Sequence, residues 1–390
     1  MTYPLNTRVR GAIEPPIAEA RSWLDGVIAP DGMALLDLSQ AVPGYPPPPE
    51  LVAHMAQRLS DPATHRYTDI TGLPALRRAL AHHMGRVYGA DIPESRVAIT
   101  AGCNQAYCLA IQALAGEGDE VVLPLPYYFN HQMWLDMLGI RAAHLPFRPE
   151  RGGVPDPADA AAAIGPRTRA IVLVSPNNPT GAIYSPEVLA EFAALARRHE
   201  IALVIDETYK DFLPTDGRPH GLFDDPAWAD TVVQLYSFSK AFCLTGHRVG
   251  AILGAERLIA EVAKEMDCVA ICAPRVGQEA ALHGLEALGR WVAGNTAMMR
   301  ERAAAVRRAF EGANHGYELV SLGAYFAYLR HPFRDTGARD VARRLARELN
   351  MLVLPGDMFG PGQDDYLRVA FANVAAEMIP EMARRLALSR

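Results

Sequence analysis

Only three lysines occur in the chain, Lys210, Lys240 and Lys264, against a large excess of arginine. Lys240 closes the run Ser237-Phe238-Ser239-Lys240, and Arg248 follows eight residues later inside Gly246-His247-Arg248-Val249-Gly250. A primary amine can condense with a carbonyl to an imine, whereas a guanidinium stays protonated and forms no ordinary Schiff base. Lys240 is therefore a candidate imine-forming residue. The flanking hydroxyls and the glycine-bracketed arginine suit an aldehyde partner that also carries a phosphate.

Further polar residues stand at the ends of other apolar runs. Asp206, in Asp206-Glu207-Thr208-Tyr209, follows Ile201 to Ile205 and can hold a protonated ring nitrogen, while the Tyr209 phenol can meet a ring hydroxyl. Asn178, in Ser175-Pro176-Asn177-Asn178-Pro179-Thr180-Gly181, offers a short amide to a cofactor oxygen or a carboxylate. Gly102, Cys103 and Asn104 join a strand to a helix expected from about Ala106, and free amides of a first helical turn bind anions. Tyr128 can stack on a flat ring. Taken singly, each has a plainer reading: an acidic strand-end loop, a Pro-Gly turn, a strand-to-helix turn, a core tyrosine, a solvated arginine. Their order, each at the end of a successive apolar run, is what weighs against coincidence.

The elements that must position these residues are short apolar runs: Val97 to Thr100, Glu120 to Leu123, Ala170 to Val174, Ile201 to Ile205, Thr231 to Tyr236 and Val249 to Leu253. Several are continuous rather than alternating, as strands buried on both faces of a mostly parallel sheet are. Between them lie segments of helical period, such as Ser185 to Glu200 with Pro186 at its start. The pattern predicts an α/β domain. Pro43 to Pro49 reads as a turn-rich linker after an N-terminal arm. From about 275 an Ala-, Leu- and Arg-rich pattern runs to Glu311, followed by strand-like Tyr325 to Leu329 and Tyr366 to Phe371. This predicts a smaller α+β domain completed by the arm, with the large domain over 46–280 and the small one over 1–45 and 281–390.

Composition narrows the function classes. In 390 residues, 50% hydrophobic and 21% charged content is that of an ordinary globular protein, and a net charge of -6 without a dense basic block argues against nucleic acid or an anionic membrane as partner. The first twenty residues carry Arg8, Arg10, Glu14 and Glu19 and lack a signal-peptide core. Five cysteines without paired metal-type spacing fit a reducing cytoplasm and no metal.

With these residues in view, the chain resembles the class I/II aminotransferases, the pyridoxal-phosphate enzymes of the aspartate-aminotransferase fold (fold type I), from about Leu38 to Phe371. The most specific match is Ser237 to Gly250, joined by Asn178-Pro179-Thr180-Gly181, Asp206 and Tyr209. The resemblance implies a seven-stranded-type sheet sandwiched by helices. It implies pyridoxal 5'-phosphate as cofactor, with Lys240 forming the internal aldimine, Asp206 on the pyridinium nitrogen, and Tyr209 and Asn178 on the ring oxygen. Cys103, Asn104, Ser237 and Arg248 would hold the phosphate, with Tyr128 stacked on the ring and Gly102 and Ser239 also among the cofactor-binding residues. Tyr67 would reach the phosphate of a partner subunit, so a homodimer with shared active sites follows. Arg368, in Tyr366-Leu367-Arg368-Val369-Ala370-Phe371, matches the arginine that clamps the substrate carboxylate. Cys103, His247 and Ala41 depart from the family's usual residues, and Ala41 stands where a glycine often approaches that carboxylate.

The expected reaction is transfer of the amino group of an L-amino acid to a 2-oxo acid by ping-pong steps, Lys240 serving as base once displaced. A β-eliminating carbon–sulfur lyase would use the same residues. A cofactor-sensing regulatory module would need a DNA-binding segment for which the N-terminus has neither length nor charge. Arg275, in Ala273-Pro274-Arg275, is one candidate second cation for an acidic substrate; capping of the following helix and a place in the dimer contact are equal alternatives.

Overall fold

A computed structural model describes residues 3–29, 32–312 and 314–390. Its centre is a seven-stranded sheet made by β1 (Val97–Thr100), β2 (Glu120–Pro124), β3 (Arg141–Leu145), β4 (Thr168–Val174), β5 (Ala202–Asp206), β6 (Val232–Ser237) and β7 (Gly250–Leu253). The spatial order is β1-β7-β6-β5-β4-β2-β3, and β7 alone runs against its neighbours β1 and β6. The continuous apolar runs have a direct cause. On one face Val122, Ile171, Leu173, Leu203 and Ile205 pack against helices that include Pro74–Tyr88 and Pro186–Arg198. On the other, Val121, Leu123, Ala170, Val172 and Val204 meet helix Cys103–Leu114 and Ile259, Val262 and Met266. Both faces are covered, so most positions on either face are apolar, and a buried polar residue such as Gln234 in β6 is hydrogen-bonded, donating to the Tyr88 hydroxyl at 3.0 Å.

Strand β3 escapes the sequence reading. It is the sheet edge, Arg141 is exposed and only Leu145 is buried, so no apolar run marks it. Helix Pro186–Arg198 is capped by Ser185 Oγ, which accepts from the Val188 amide at 3.3 Å.

A second sheet, antiparallel, holds β8 (Glu318–Gly323), β9 (Phe326–Arg330), β10 (Leu354–Pro355) and β11 (Tyr366–Ala370) in the order β10-β11-β9-β8. Its core brings Leu36 and Leu38 together with Leu329, Val341, Leu345 and Leu367, so the N-terminal segment packs with the C-terminal one. The pattern expected as one run from 275 to 311 is two helices, Arg275–Ala287 and Gly289–Phe310. The first packs on helices Pro49–Leu59 and Pro74–Tyr88. Ala281 and Leu288 lie in the core of the larger sheet, beyond the residue 280 boundary expected from the sequence.

Candidate active site

The loops after β1, β2, β4, β5 and β6, with the turn that leads into antiparallel β7, bring polar groups to a common cleft at the C-terminal edge of the parallel strands, where open α/β sheets bind ligands. The cleft, of about 220 Å³, is lined by Cys103, Asn104, Tyr128, Asn178, Asp206, Tyr209, Ser237, Ser239, Lys240 and Arg248, and also by Gln40, Val42, Val174, Thr208 and Thr245.

At one end, helix Cys103–Leu114 begins three residues earlier than expected, directly after Gly102. Gly102 has φ +87, and a Cβ there would collide with the Arg248 guanidinium. Both the left-handed backbone and the close approach therefore require glycine. Arg248 itself lies in the left-handed region at φ 49, donating to the Thr245 carbonyl at 3.1 Å and the Ala101 carbonyl at 3.3 Å. Strain of this kind persists where surrounding contacts fix it. The Ser237 side chain caps the short helix that carries Lys240, accepting from the Ser239 amide at 3.3 Å. Ser239 Oγ is buried without a partner. A helix N-terminus, an arginine and an orphan hydroxyl thus converge on one spot, a ready site for a phosphate. Arg248 and Asn104 are exposed in the single chain, so this end of the cleft is open.

In the middle, Asp206 is buried at the end of β5 and accepts from the Thr208 amide at 2.9 Å. Burial alone would raise its pKa, but His131 and Thr208 outweigh it and keep the carboxyl below its ordinary value. His131, missed in the sequence, stands 3.6 Å from Asp206 Oδ2 and stacks on Tyr107 with centroids 3.9 Å apart. Tyr128, three residues earlier, is extended backbone just before helix Phe129–Leu138, so no helical spacing joined the two in the sequence. Behind β5, Glu207 accepts from the Tyr88 hydroxyl at 2.8 Å and lies 3.2 Å from His220 Nε2, a buried network that fixes the strand end next to Asp206.

The Lys240 amine donates to the Ala41 carbonyl at 2.6 Å and lies 6.0 Å from the centre of the Tyr209 ring. Desolvation, then the charges of Arg248 and Arg368, lower its pKa to about 8. Burial likewise keeps the Tyr209 hydroxyl protonated, well above the ordinary phenol range.

At the other end, Arg368 on β11 is buried, with its guanidinium 5.2 Å from the Phe326 ring centre and 5.0 Å from that of Phe359. It donates to Asn178 Oδ1 at 3.1 Å and to the Ser39 carbonyl, while its Nε has no partner. Asn178 is held by a tight loop. Asn177 Oδ1 accepts from both the amide and the hydroxyl of Thr180, at 3.1 and 2.9 Å. Gly181, at φ +77, presses so closely on the β8–β9 hairpin that a Cβ would lie 2.5 Å from Gly323 N and Phe326 O.

Two of the expected groups lie elsewhere. Tyr67 is 73% exposed and lines an outer hollow with Ala101, Ala270, Cys272 and Arg275, not the cleft of its own chain. Arg275 also pairs with Glu279 at 3.3 Å, so it does not supply a second cation to that cleft. Ala41 borders the cleft through its carbonyl, which accepts from Lys240. Among the described residues no group of three or more His, Cys, Asp or Glu is placed to hold a metal, and no helix is long and apolar enough to cross a membrane.

Comparison with known proteins places this cleft in a family. The model of aminotransferase class I and II matches residues 34–386. The chain is 31% identical over 359 residues to the arginine–pyruvate transaminase of Pseudomonas aeruginosa, covering 92% of this chain and 90% of that protein. It is 29% identical to the aromatic aminotransferase of Arabidopsis thaliana over 391 residues, covering 98% and 95%. In structure it is similar to the aspartate aminotransferase of Thermus thermophilus with maleate, with a TM-score of 0.90, 26% identity and 100% of both chains covered.

Proposed function

The chain belongs to the class I and II aminotransferases, and from that premise we propose that it moves the amino group of an L-amino acid to a 2-oxo acid in ping-pong half-reactions, with Lys240 as the covalent anchor of pyridoxal 5'-phosphate. The observation that carries the reading is a single cleft holding a lysine amine of lowered pKa and a buried carboxylate, with Arg248 at one end and Arg368 at the other.

The residues present fit such a group. The open helix N-terminus at Cys103, Arg248 and the orphan Ser239 hydroxyl suit its phosphate. Asp206, ionised and buried, suits a cationic ring nitrogen, and Tyr209 and Asn178 suit a ring oxygen. Tyr128 suits its flat face. When bound, pyridoxal phosphate supplies an electrophilic aldehyde and a ring that withdraws electrons from the substrate Cα.

The chain's own groups do the remainder. Arg368 binds the substrate α-carboxylate through parallel donors, with Asn178 fixing the plane of the guanidinium. A pKa near 8 leaves a useful fraction of Lys240 neutral at physiological pH, so Nζ can take the α-proton and return it within the site. The Tyr209 hydroxyl stays protonated and donates throughout.

Closing the open phosphate end falls to a second copy of the chain. Tyr67, 73% exposed, lines the hollow that borders the turn at Ala101, and Val269 and Ile271, 67% and 38% exposed, flank Ala270, which lines it as well. Exposed apolar residues gathered beside an incomplete site mark an association surface. We read it as the contact of a homodimer in which Tyr67 enters the partner's cleft.

The test is a panel of amino acids added singly to the loaded enzyme without an oxo acid, following conversion of the cofactor to its amine form. One stoichiometric half-reaction, reversed by a 2-oxo acid, supports the reading. Steady release of ammonia and pyruvate from a cysteine conjugate, with no acceptor, would replace it with a lyase.

A further inference from the structure

The segment Asp37–Gly44 borders the cleft as a strap and touches two of its basic groups, Lys240 and Arg368, through backbone carbonyls. Ala41 O accepts from Lys240 Nζ at 2.6 Å, and Ser39 O accepts from the Arg368 guanidinium. The orientation of two groups given roles above therefore depends on where a non-regular stretch of backbone lies. As far as Leu38 the strap is fixed by sheet-like bonds, from its amide to Leu352 O at 2.8 Å and from the Ala370 amide to Leu38 O at 2.8 Å. Beyond Leu38 no strand continues.

Within the rest, Asp37 Oδ1 accepts from the Ser39 amide at 2.9 Å and Gln40 O accepts from the Val42 amide at 3.0 Å, while Arg21 donates to the Gln40 side chain at 2.9 Å; the dipeptide Ala372-Asn373, just past the end of the strand that carries Arg368, holds it from across the sheet end. Asn373 Oδ1 accepts from the Val42 amide at 3.1 Å, and its Nδ2 donates to Asp37 O at 3.3 Å. One side chain thus spans the strap from end to end. Ala372 O accepts from the Gly44 amide at 3.1 Å and from Arg302 Nη1 at 2.5 Å. Gly44 lies so close that a Cβ would meet Asn373 O at 2.5 Å. Pro43 has no amide to offer, so over 42–44 the donors that meet this dipeptide are Val42 and Gly44.

We propose that Asn373 is a positioning residue for the substrate carboxylate site: it sets the strap so that the Ser39 and Ala41 carbonyls hold Arg368 and the Lys240 amine in register with each other. The inference rests on the roles given to Arg368 and Lys240 above. It adds a residue that touches neither substrate nor cofactor and acts through the backbone. An amide is suited to the task because it both accepts and donates, at two strap positions whose backbone groups point in opposite senses.

The test uses the cofactor-loaded enzyme with Asn373→Ala and the milder Asn373→Asp, which keeps the acceptor for Val42 but loses the donor. Hydrogen exchange in a peptide covering 38–46 is expected to quicken about tenfold in Asn373→Ala, with the peptide covering 97–110 unchanged. KM for both amino donor and oxo-acid acceptor is expected to rise about tenfold, with kcat within about threefold of the parent, and Asn373→Asp falls between. Borohydride labelling of Lys240 should be unaltered, which separates failure here from failure of the lysine assignment. Parental KM values despite faster exchange at 38–46, or raised KM without it, overturn the proposal. Should Asn373→Ala not fold, Asn373→Asp with parental exchange and parental KM overturns it as well.

Discussion

Arg368 Nη1 donates to Asn178 Oδ1 across 3.1 Å, joining residues 190 positions apart from two different sheets. The contact links the loop after β4 to β11, so the proposed carboxylate site is built at the seam of the two sheets and neither sheet can form it alone.

Replacing Arg368 by Lys keeps a charge but loses the fork. For a buried, charge-assisted pair we expect kcat/KM to fall about 100-fold, chiefly through KM. Asn178→Ala should cost about tenfold. Because the residues share a bond, the double variant should lose less than the product of the two, and steady-state kinetics on the four proteins measures the difference.

The lowered Lys240 pKa has a consequence for the cofactor-free chain. Between about 8, the folded value, and 10.5, the ordinary one, the unfolded chain binds the proton that the folded chain has lost. This group's contribution to stability therefore rises with pH through that window and is constant below it. Lys240→Met removes the cost of desolvating the ammonium. It should be more stable than the parent by about 3 kcal/mol at pH 7, with the gap closing as pH approaches 10.5. Urea unfolding of both proteins at four pH values decides this; a gap that stays level or widens with pH contradicts the shift.

Asp206→Asn preserves shape and removes the charge opposed to a ring nitrogen. Activity should fall about 1,000-fold while the Lys240 adduct still forms. His131→Phe keeps an aromatic stack on Tyr107 but removes the nitrogen 3.6 Å from Asp206. A loss of about tenfold is expected, and His131→Phe should cost little further in an Asp206→Asn background.

Charge placed on the exposed apolar surface should separate subunits. Val269→Glu with Ile271→Glu is expected to weaken association by about 100-fold or more in sedimentation, with activity falling in parallel as protein is diluted. Activity that is independent of concentration in a monomeric variant contradicts a site completed by a second chain.

The buried strands were legible because both their faces are dry, which writes them as unbroken apolar runs, and the polar residue ending each run was legible for the same reason. Edge strand β3 was not, since one exposed side dilutes its pattern. The helix at Cys103 begins earlier than its apolar periodicity, because Cys103 and the exposed Asn104 of its first turn line the cleft. His131 was hidden because a lone histidine carries no spacing signal, and its pairing with Asp206 joins separate elements. The strap held by Asn373 lay beyond sequence reading altogether: its functional atoms are backbone carbonyls, which every residue possesses.

The central claim is that the amine at position 240 carries the cofactor, and having just three lysines makes it unusually easy to check. Borohydride reduction of the fully loaded protein, followed by peptide mass mapping, should place one stoichiometric pyridoxyl tag on Lys240 and none on Lys210 or Lys264. A tag on either of those two, or no tag in loaded material, contradicts the account.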